Sequence, residues 1–233
     1  MANIPFPHPF TTTPATTPFH IPKTDWLAAN PRFANLAIGA VVFSPPLPQS
    51  PNQTTTTTTP KILLLQRAAH EAYANTWEPP GGGCEDATID RTLLHGVGRE
   101  LWEEAGLVMT RVMARVGGVH AWSHKVKGQW AKIVFWVEVE RGADGDGNGN
   151  GNGNGEGDVV VRLDPKEHQA FVWASEEEVL AGRVGGVEVG FMEGAREMFV
   201  DAFRVRREAV AALGEGGAGF AEGGEDGGVG VAV

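Results

Sequence analysis

Two stretches of the chain are almost continuously apolar over the length of a strand, residues 35–44 (NLAIGAVVFS) and 61–67 (KILLLQR). Each predicts a buried β-strand. Residues 110–122 and 129–140 predict two more. In the second of these, Ile133, Phe135, Val137 and Val139 alternate with Val134, Trp136, Glu138 and Glu140, the pattern of a strand with one face better buried than the other. Leu94, Val97, Leu101 and Ala105 recur at three and four residues, which is the period of a helix. Gly106 follows where a helix commonly ends in the left-handed conformation. Ala195, Phe199, Phe203 and Val210 set the same period for a longer helix over residues 192–213. Ser175-Glu176-Glu177-Glu178 has the form of a capping box and predicts a short helix through Leu180. Smaller elements complete the pattern: a helical turn within 26–33, a strand end at 76–78, a return strand at 158–163 and a short strand at 171–174. Strands interleaved with two or three helices predict a layered α/β or α+β domain.

The stretches between these elements are compositionally biased. Residues 1–25 are rich in Pro and Thr, and are expected to be disordered or loosely draped. Residues 45–60 (PPLPQSPNQTTTTTTP) and 142–157 (GADGDGNGNGNGNGEG) read as insertions that bury nothing, and 214–233 as a glycine-rich acidic tail. The expected folded unit is residues 26–213. The formal net charge of −10 argues against a nucleic-acid-binding surface and against an anionic membrane surface. It leaves room for a small anionic substrate, because a bound cation supplies the missing positive charge. Cys84, the single cysteine, excludes an internal disulfide and fits a reducing compartment. The chain opens without a secretory or transit pattern, and its apolar run at 36–43 is too short to span a bilayer. A cytoplasmic location is expected, with the nucleus also open. Oligomeric state is not legible.

Chemistry concentrates in one stretch, residues 81–107 (GGGCEDATIDRTLLHGVGRELWEEAGL). Gly81, Gly82 and Gly83 follow Trp77-Glu78-Pro79-Pro80, so a strand ends in a turn that side chains would obstruct. On the helix that follows, Glu100, Glu103 and Glu104 fall within an arc of roughly 100°, beside the apolar stripe. Carboxylates so placed repel one another unless they share a cation. An oxygen-only donor set suits Mg²⁺ or Mn²⁺ better than zinc. Arg99 lies one turn before Glu103, in position for an ion pair that orients that carboxylate. Gly96 and Gly98 each cost up to about 1 kcal/mol inside a helix, which predicts close packing at both positions. On the glutamates alone, a solvated acidic face would be the simpler account; the glycine turn, the helix stop and the Arg99–Glu103 spacing point to a site. Glu167, on a loop just before a strand, has two equal readings: a carboxylate that reaches a metal from the side opposite the helix, or a solvated loop residue. Lys166 and His168 beside it read as solvated or structural. Trp122, Trp130 and Trp136 lie on strands able to line a pocket, although packing is the commoner use of such rings. No phosphate-binding P-loop and no nucleophile elbow is present.

The ending Arg99-Glu100-Leu101-Trp102-Glu103-Glu104-Ala105-Gly106-Leu107, after a strand and a triple-glycine turn, resembles the signature of the Nudix hydrolases. That resemblance implies a mixed β-sheet sandwiched between helices. It also implies metal-dependent hydrolysis of a diphosphate linkage in a nucleoside diphosphate derivative, with water attacking phosphorus. It would give Glu100, Glu103 and Glu104 the metal (Mg²⁺ or Mn²⁺), Gly81, Gly82 and Gly83 the substrate's phosphates, and Arg99, Glu103, Glu104 and Glu167 the catalytic roles. The proton of the attacking water would pass to the Glu103/Glu104 pair or to Glu167. The front half departs from the family pattern: Arg91 stands where a Glu is usual, with Asp90 beside it, and the glycines lie further from Arg99. Glu167-His168-Gln169-Ala170-Phe171 somewhat resembles a loop of diadenosine-polyphosphate hydrolases, but the tyrosine usual downstream in those enzymes is missing. A rival is a binding module of the same fold without turnover. An isopentenyl diphosphate isomerase is disfavoured, because Cys84 lies within the signature and not on a separate strand.

Overall fold

The computed structural model describes residues 5–44, 59–141 and 159–216, which leaves most of the two expected insertions and the end of the glycine-rich tail outside the described residues. Its elements, in chain order, are β1 (Thr11–Thr12), a 3-10 turn (Thr17–Phe19), α1 (Lys23–Ala29), β2 (Asn35–Ser44), β3 (Lys61–Arg67), β4 (Trp77–Glu78), α2 (Leu93–Ala105), β5 (Met109–His124), β6 (Gly128–Val139), β7 (His168–Ser175), α3 (Glu176–Ala181), β8 (Arg183–Val184), β9 (Val187–Glu188) and α4 (Ala195–Gly216). Among the described residues no helix is long and apolar enough to cross a membrane.

One mixed sheet runs β1-β5-β6-β2-β3-β4, with β7 on the other edge of β3. β2 and β6 pair in parallel from Asn35↔Trp130 to Val42↔Val137, and parallel pairing calls for cover on both faces. That cover is present. Ile38, Ala40, Ile133, Phe135 and Val137 meet Leu94, Val97 and Leu101 of α2 in one core. Val41, Phe43, Val134 and Trp136 meet Phe199, Ala202 and Phe203 of α4 in the other. The expected strand at 129–140 does have one face better buried than the other: Ala131, Ile133, Phe135, Val137 and Val139 are all buried, while on the opposite face Val134 and Trp136 are buried and Trp130, Lys132 and Glu138 only partly so. Ser175 caps α3 as its sequence predicts, accepting from Glu178 N while Glu178 Oε2 accepts from Ser175 N.

β2 touches β3 only at Phe43↔Ile62 and Ser44↔Lys61. Beyond that pair the strands part, and β3 takes β4 on the edge it has vacated. The freed edge of β2 is filled by the turn that follows β4. Ala40 N donates to Pro80 O at 2.8 Å, Ile38 N to Gly82 O at 2.9 Å, and Cys84 N to Leu36 O at 2.9 Å. This split in the sheet places the glycine turn between two strands and beneath α2.

Two expectations are corrected. The N-terminal segment is ordered over residues 5–22 and not loosely draped. Phe6 is buried, Phe10, Phe19 and Ile21 pack against the α2-side core, and β1 pairs in parallel with β5. Thr13 Oγ1 donates to Met113 O at 2.8 Å, so the threonines satisfy strand carbonyls while the phenylalanines supply apolar burial. The return strand expected at 158–163 does not form over the described residues 159–163. The chain there crosses the end of α2, with Arg162 N donating to Ala105 O at 2.8 Å and Asp164 N to Glu104 O at 3.3 Å. It satisfies helix-end carbonyls that would otherwise lack partners.

Candidate active site

α2 starts at Thr92, whose side chain accepts from His95 N, and ends at Gly106 in the left-handed conformation. Its two internal glycines are where the helix is touched most closely. A Cβ on Gly96 would lie 2.8 Å from Asp90 Oδ2, and one on Gly98 would lie 2.6 Å from the Phe6 ring. The close packing predicted at both positions is present.

Arg99 is the hub of the buried charge. It is 3% exposed and grips Asp90, which is fully buried, through Nε–Oδ1 at 2.8 Å and Nη2–Oδ2 at 2.9 Å. Nη1 donates to Glu103 Oε2 at 2.8 Å, Nη2 lies 3.0 Å from Glu100 Oε1, and Nη2 also donates to Gly83 O at 3.0 Å. The predicted Arg99–Glu103 pair forms, and it commits one oxygen of Glu103 to the guanidinium. Asp90 has a second task, accepting from Glu85 N at 2.7 Å.

Glu100 and Glu104 face the glycine turn. Glu104 Oε2 accepts from Gly81 N at 2.7 Å. Glu100 lies against Gly82 so closely that a Cβ there would come within 2.8 Å of both its carboxylate oxygens. Gly81 has φ of +152°, and a Cβ on it would strike Ile38 O at 2.3 Å. Gly83 meets nothing; what it contributes is its carbonyl. Gly82→Ala is accordingly expected to displace the Glu100 carboxylate and cost activity. Gly83→Ala is expected to change stability by less than about 0.5 kcal/mol. Equal activity losses in the two variants would overturn this division of the turn.

Burial pushes the Glu100 carboxyl up to about 7, against the pull of Arg99 and with the help of Glu103 and Glu167. Glu104 is raised well above the ordinary carboxylate range by burial first, then by the charges of Glu100, Glu78 and Glu167. Glu78 goes the other way. Burial would raise it, but contact with His168 and the charges of Lys132 and Arg67 hold it at about 2. The region therefore holds one carboxylate kept in its charged form and two buried carboxyls shifted toward the neutral form. Among the described residues no three acidic, histidine or cysteine side chains converge into a ready-made ion cage. The surplus of negative charge and the oxygen-only donors nevertheless fit a hard divalent cation, with Glu100 and Glu104 as the inward-facing pair.

A model of the NUDIX domain matches residues 53–192, more than half of the chain. The chain belongs to the Nudix family. No curated protein matches it. Solved structures similar to it include the NUDIX domain of Shewanella oneidensis NrtR in complex with ADP ribose (16% identical, covering 79% of this chain and 98% of that one, TM-score 0.50). The MutT protein of Methanosarcina mazei Go1 (23%, 75% and 94%, TM-score 0.42) and a C. elegans Ap4A hydrolase (16%, 76% and 98%, TM-score 0.42) are also similar. At these identities the structural likeness bears on the fold alone, the mixed sheet between helices that the sequence predicts. Nudix enzymes hydrolyse diphosphate linkages, generally in nucleoside diphosphate derivatives and generally with divalent metal ions; this chain is a Nudix-type pyrophosphohydrolase.

Within the Nudix frame, the departure at Arg91 acquires a physical meaning. The Arg91 side chain is exposed and meets His95 at 2.9 Å, while the neighbouring Asp90 turns inward to hold Arg99. Sequence reading passed over Asp90 and Glu78. The signal for Asp90 was its place beside the unusual arginine; for Glu78 there was none beyond a charge at the end of an apolar strand. Glu167 is exposed on the loop before β7, within electrostatic reach of Glu100 and Glu104. His168 is buried, not solvated, and both its ring nitrogens lack hydrogen-bond partners, Nε2 standing 3.4 Å from Glu78 Oε1. Trp136 is buried in the α4-side core, the packing use of such a ring. Cys84 is buried, and burial, followed by the nearby Asp90, pushes its thiol up to about 12. It is a packed residue and not a nucleophile.

Proposed function

We propose that the chain hydrolyses a nucleoside diphosphate derivative, with Glu100 and Glu104 holding a divalent cation, Mg²⁺ or Mn²⁺, over the turn at Gly81–Gly83. The observation that carries this reading is the pair of buried carboxyls facing the glycine turn, Glu104 held by Gly81 N and Glu100 against Gly82, with the neighbouring guanidinium, Arg99, divided among Asp90, Glu103 and a single oxygen of Glu100. When bound, such a cation offsets the charge of the diphosphate oxygens and acidifies water. The chain's own residues supply the rest. Gly81 N fixes the orientation of Glu104, Arg99 fixes Glu103 and the carbonyl of Gly83, and Asp90 fixes Arg99. Glu103 and Glu104 are each engaged by these contacts. Among the described residues the Glu167 carboxylate makes no hydrogen bond or ion pair, and it is the group left to take the proton of the attacking water.

The decisive experiment follows hydrolysis in ¹⁸O-labelled water, with Mg²⁺ and a panel of nucleoside diphosphate derivatives that includes ADP-ribose. A hydrolase releases a phosphate product carrying the label. Mg²⁺-dependent stabilisation without labelled product across the panel would favour a binding module of the same fold.

The same arrangement makes a pH prediction for the cation-free protein. Glu100 sits at about 7 when folded, against an ordinary value of 4.5, and it faces Arg99, Glu103, Glu104 and Glu167. Below the ordinary value both states are protonated. As pH rises through it, the unfolded chain releases a proton that the folded chain keeps, so stability falls until pH has passed about 7. One pH unit between the two values corresponds to about 1.4 kcal/mol, so the loss is on the order of 3 kcal/mol. Mg²⁺ at a hundredfold excess over Kd is expected to return about 2.7 kcal/mol. Melting curves across this window check both figures, and a flat profile without cation would remove the basis for the buried pair.

A further inference from the structure

Lys132 of β6 lies between His120 of β5 and Ala37 of β2, and two residues earlier Trp130 lies between Trp122 and Asn35. Side chains two apart on a strand share a face, and paired residues on adjacent strands share it too. Trp122, Trp130, His120 and Lys132 therefore stand together on the α4 side of the sheet, outward of Val134 in that core. The two indoles stack, with ring centroids 5.6 Å apart and planes 19° apart. Both are only half-buried, so the pair is not enclosed by the fold. Lys127 reaches within 6.0 Å of the Trp130 ring, giving this end of the hairpin a positive rim on an otherwise acidic protein.

Lys132 points from this platform to the glycine turn. A Cβ on Gly39 would lie 3.2 Å from Lys132 Cε and 3.3 Å from Pro80 O. The lysine thus crosses β2 where that strand has no side chain and ends beside the turn that carries Gly81. Among the described residues no hydrogen bond or ion pair involves its ammonium, although its charge is felt at Glu78. It is a cation beside Glu78 and His120, reaching the turn from the α4 side of the sheet, whereas Arg99 lies on the α2 side.

We propose that this face is the substrate's binding wall, Lys132 pairing with a phosphate oxygen of the diphosphate at the Pro80–Gly81 turn and the Trp122–Trp130 pair receiving a planar base. The proposal rests on the hydrolase reading for the position of the diphosphate, and it assigns the residues that would receive the base and one phosphate oxygen. Trp130 and Lys132 are separated by about 6–7 Å along the strand, so base and diphosphate of one nucleotide reach neighbouring positions. Stacking on an indole is tolerant of base identity, so the wall selects for the presence of a base more than for its kind.

The test is calorimetric binding to the full chain, with Mg²⁺, of adenosine 5′-(α,β-methylene)diphosphate and of the base-less methylenediphosphonate. Lys132→Met is expected to weaken both ligands on the order of tenfold or more, with Lys132→Arg recovering most of the loss. Trp130→Leu is expected to weaken the nucleoside ligand at least about fivefold and to leave methylenediphosphonate unchanged. Trp130→Phe, which keeps a ring, should remain close to the parent if the larger change perturbs folding. Unchanged affinities in Lys132→Met, equal weakening of both ligands in Trp130→Leu, or no binding of either ligand by the parent chain would overturn the proposal. Binding with these dependences but without ¹⁸O-labelled product leaves the wall standing and removes the hydrolase reading. Labelled product with unchanged affinity in Lys132→Met does the reverse.

Discussion

Glu104→Gln is expected to lower turnover by about 10³-fold or more while the melting temperature of the cation-free protein holds or rises. The two effects have one cause. Glu104 is 4% exposed, and its carboxyl feels Glu100, Glu78 and Glu167. An amide of nearly the same volume can still accept from Gly81 N, as Glu104 does at 2.7 Å. What disappears is one negative charge, and with it part of the attraction for a divalent cation. A residue kept for packing would show the opposite balance, with activity falling only as far as stability did. Single-turnover rates and melting curves on the same preparation separate the cases. Parent-like kcat in this variant would remove Glu104 from the site.

The second large effect is expected at Arg99. Its guanidinium is held in the charged form despite burial, which acts against the charge, because Asp90, Glu100 and Glu103 surround it. Arg99→Met would strand Asp90, which has no exposed surface. Removing one member of a buried ion pair costs about 3–5 kcal/mol, mostly from the charge left behind. Asp90→Asn in the Arg99→Met background should recover a large part of that cost, since the stranded charge is then gone while Glu85 N keeps an acceptor. Urea unfolding of the two single variants and the double variant gives the coupling directly. Strict additivity would show that the pair is not a unit.

The parts of this protein legible in sequence were those written in local spacing. The capping box at Ser175, the left-handed stop at Gly106, the Arg99–Glu103 pair and the tight contacts at Gly96 and Gly98 each follow from residues a few positions apart or from a cost a helix would not otherwise bear. What was missed depends on chain segments far apart. Asp90 looks like an ordinary loop acid until Arg99 turns back onto it. Glu78 gains importance only because β3 and β7 bring Arg67 and His168 alongside. The Pro/Thr-rich start was misjudged because composition averages hide Phe6, Phe10 and Phe19, three rings spaced to meet a core that the segment does not itself contain. The absent strand at 159–163 had the right residues, but the end of α2 offered its backbone better partners than a hairpin did. Lys132 carries no sequence signal at all without Gly39, a residue on another strand.

The residues by which this chain is recognised as a relative of other proteins begin at position 53, yet the strand on which the glycine turn rests ends at Ser44. Kinship and self-sufficiency thus have different borders. A polypeptide trimmed to the recognisable stretch would carry every glutamate of the site but not the edge to which Pro80, Gly82 and Cys84 are hydrogen-bonded, nor the phenylalanine that fits against Gly98. Its helix α2 would lose Leu36, Ile38, Ala40 and Val42 from the core on which it lies. The chemistry lies inside the recognisable stretch, and part of its support, a buried strand and a well-placed ring, lies outside it.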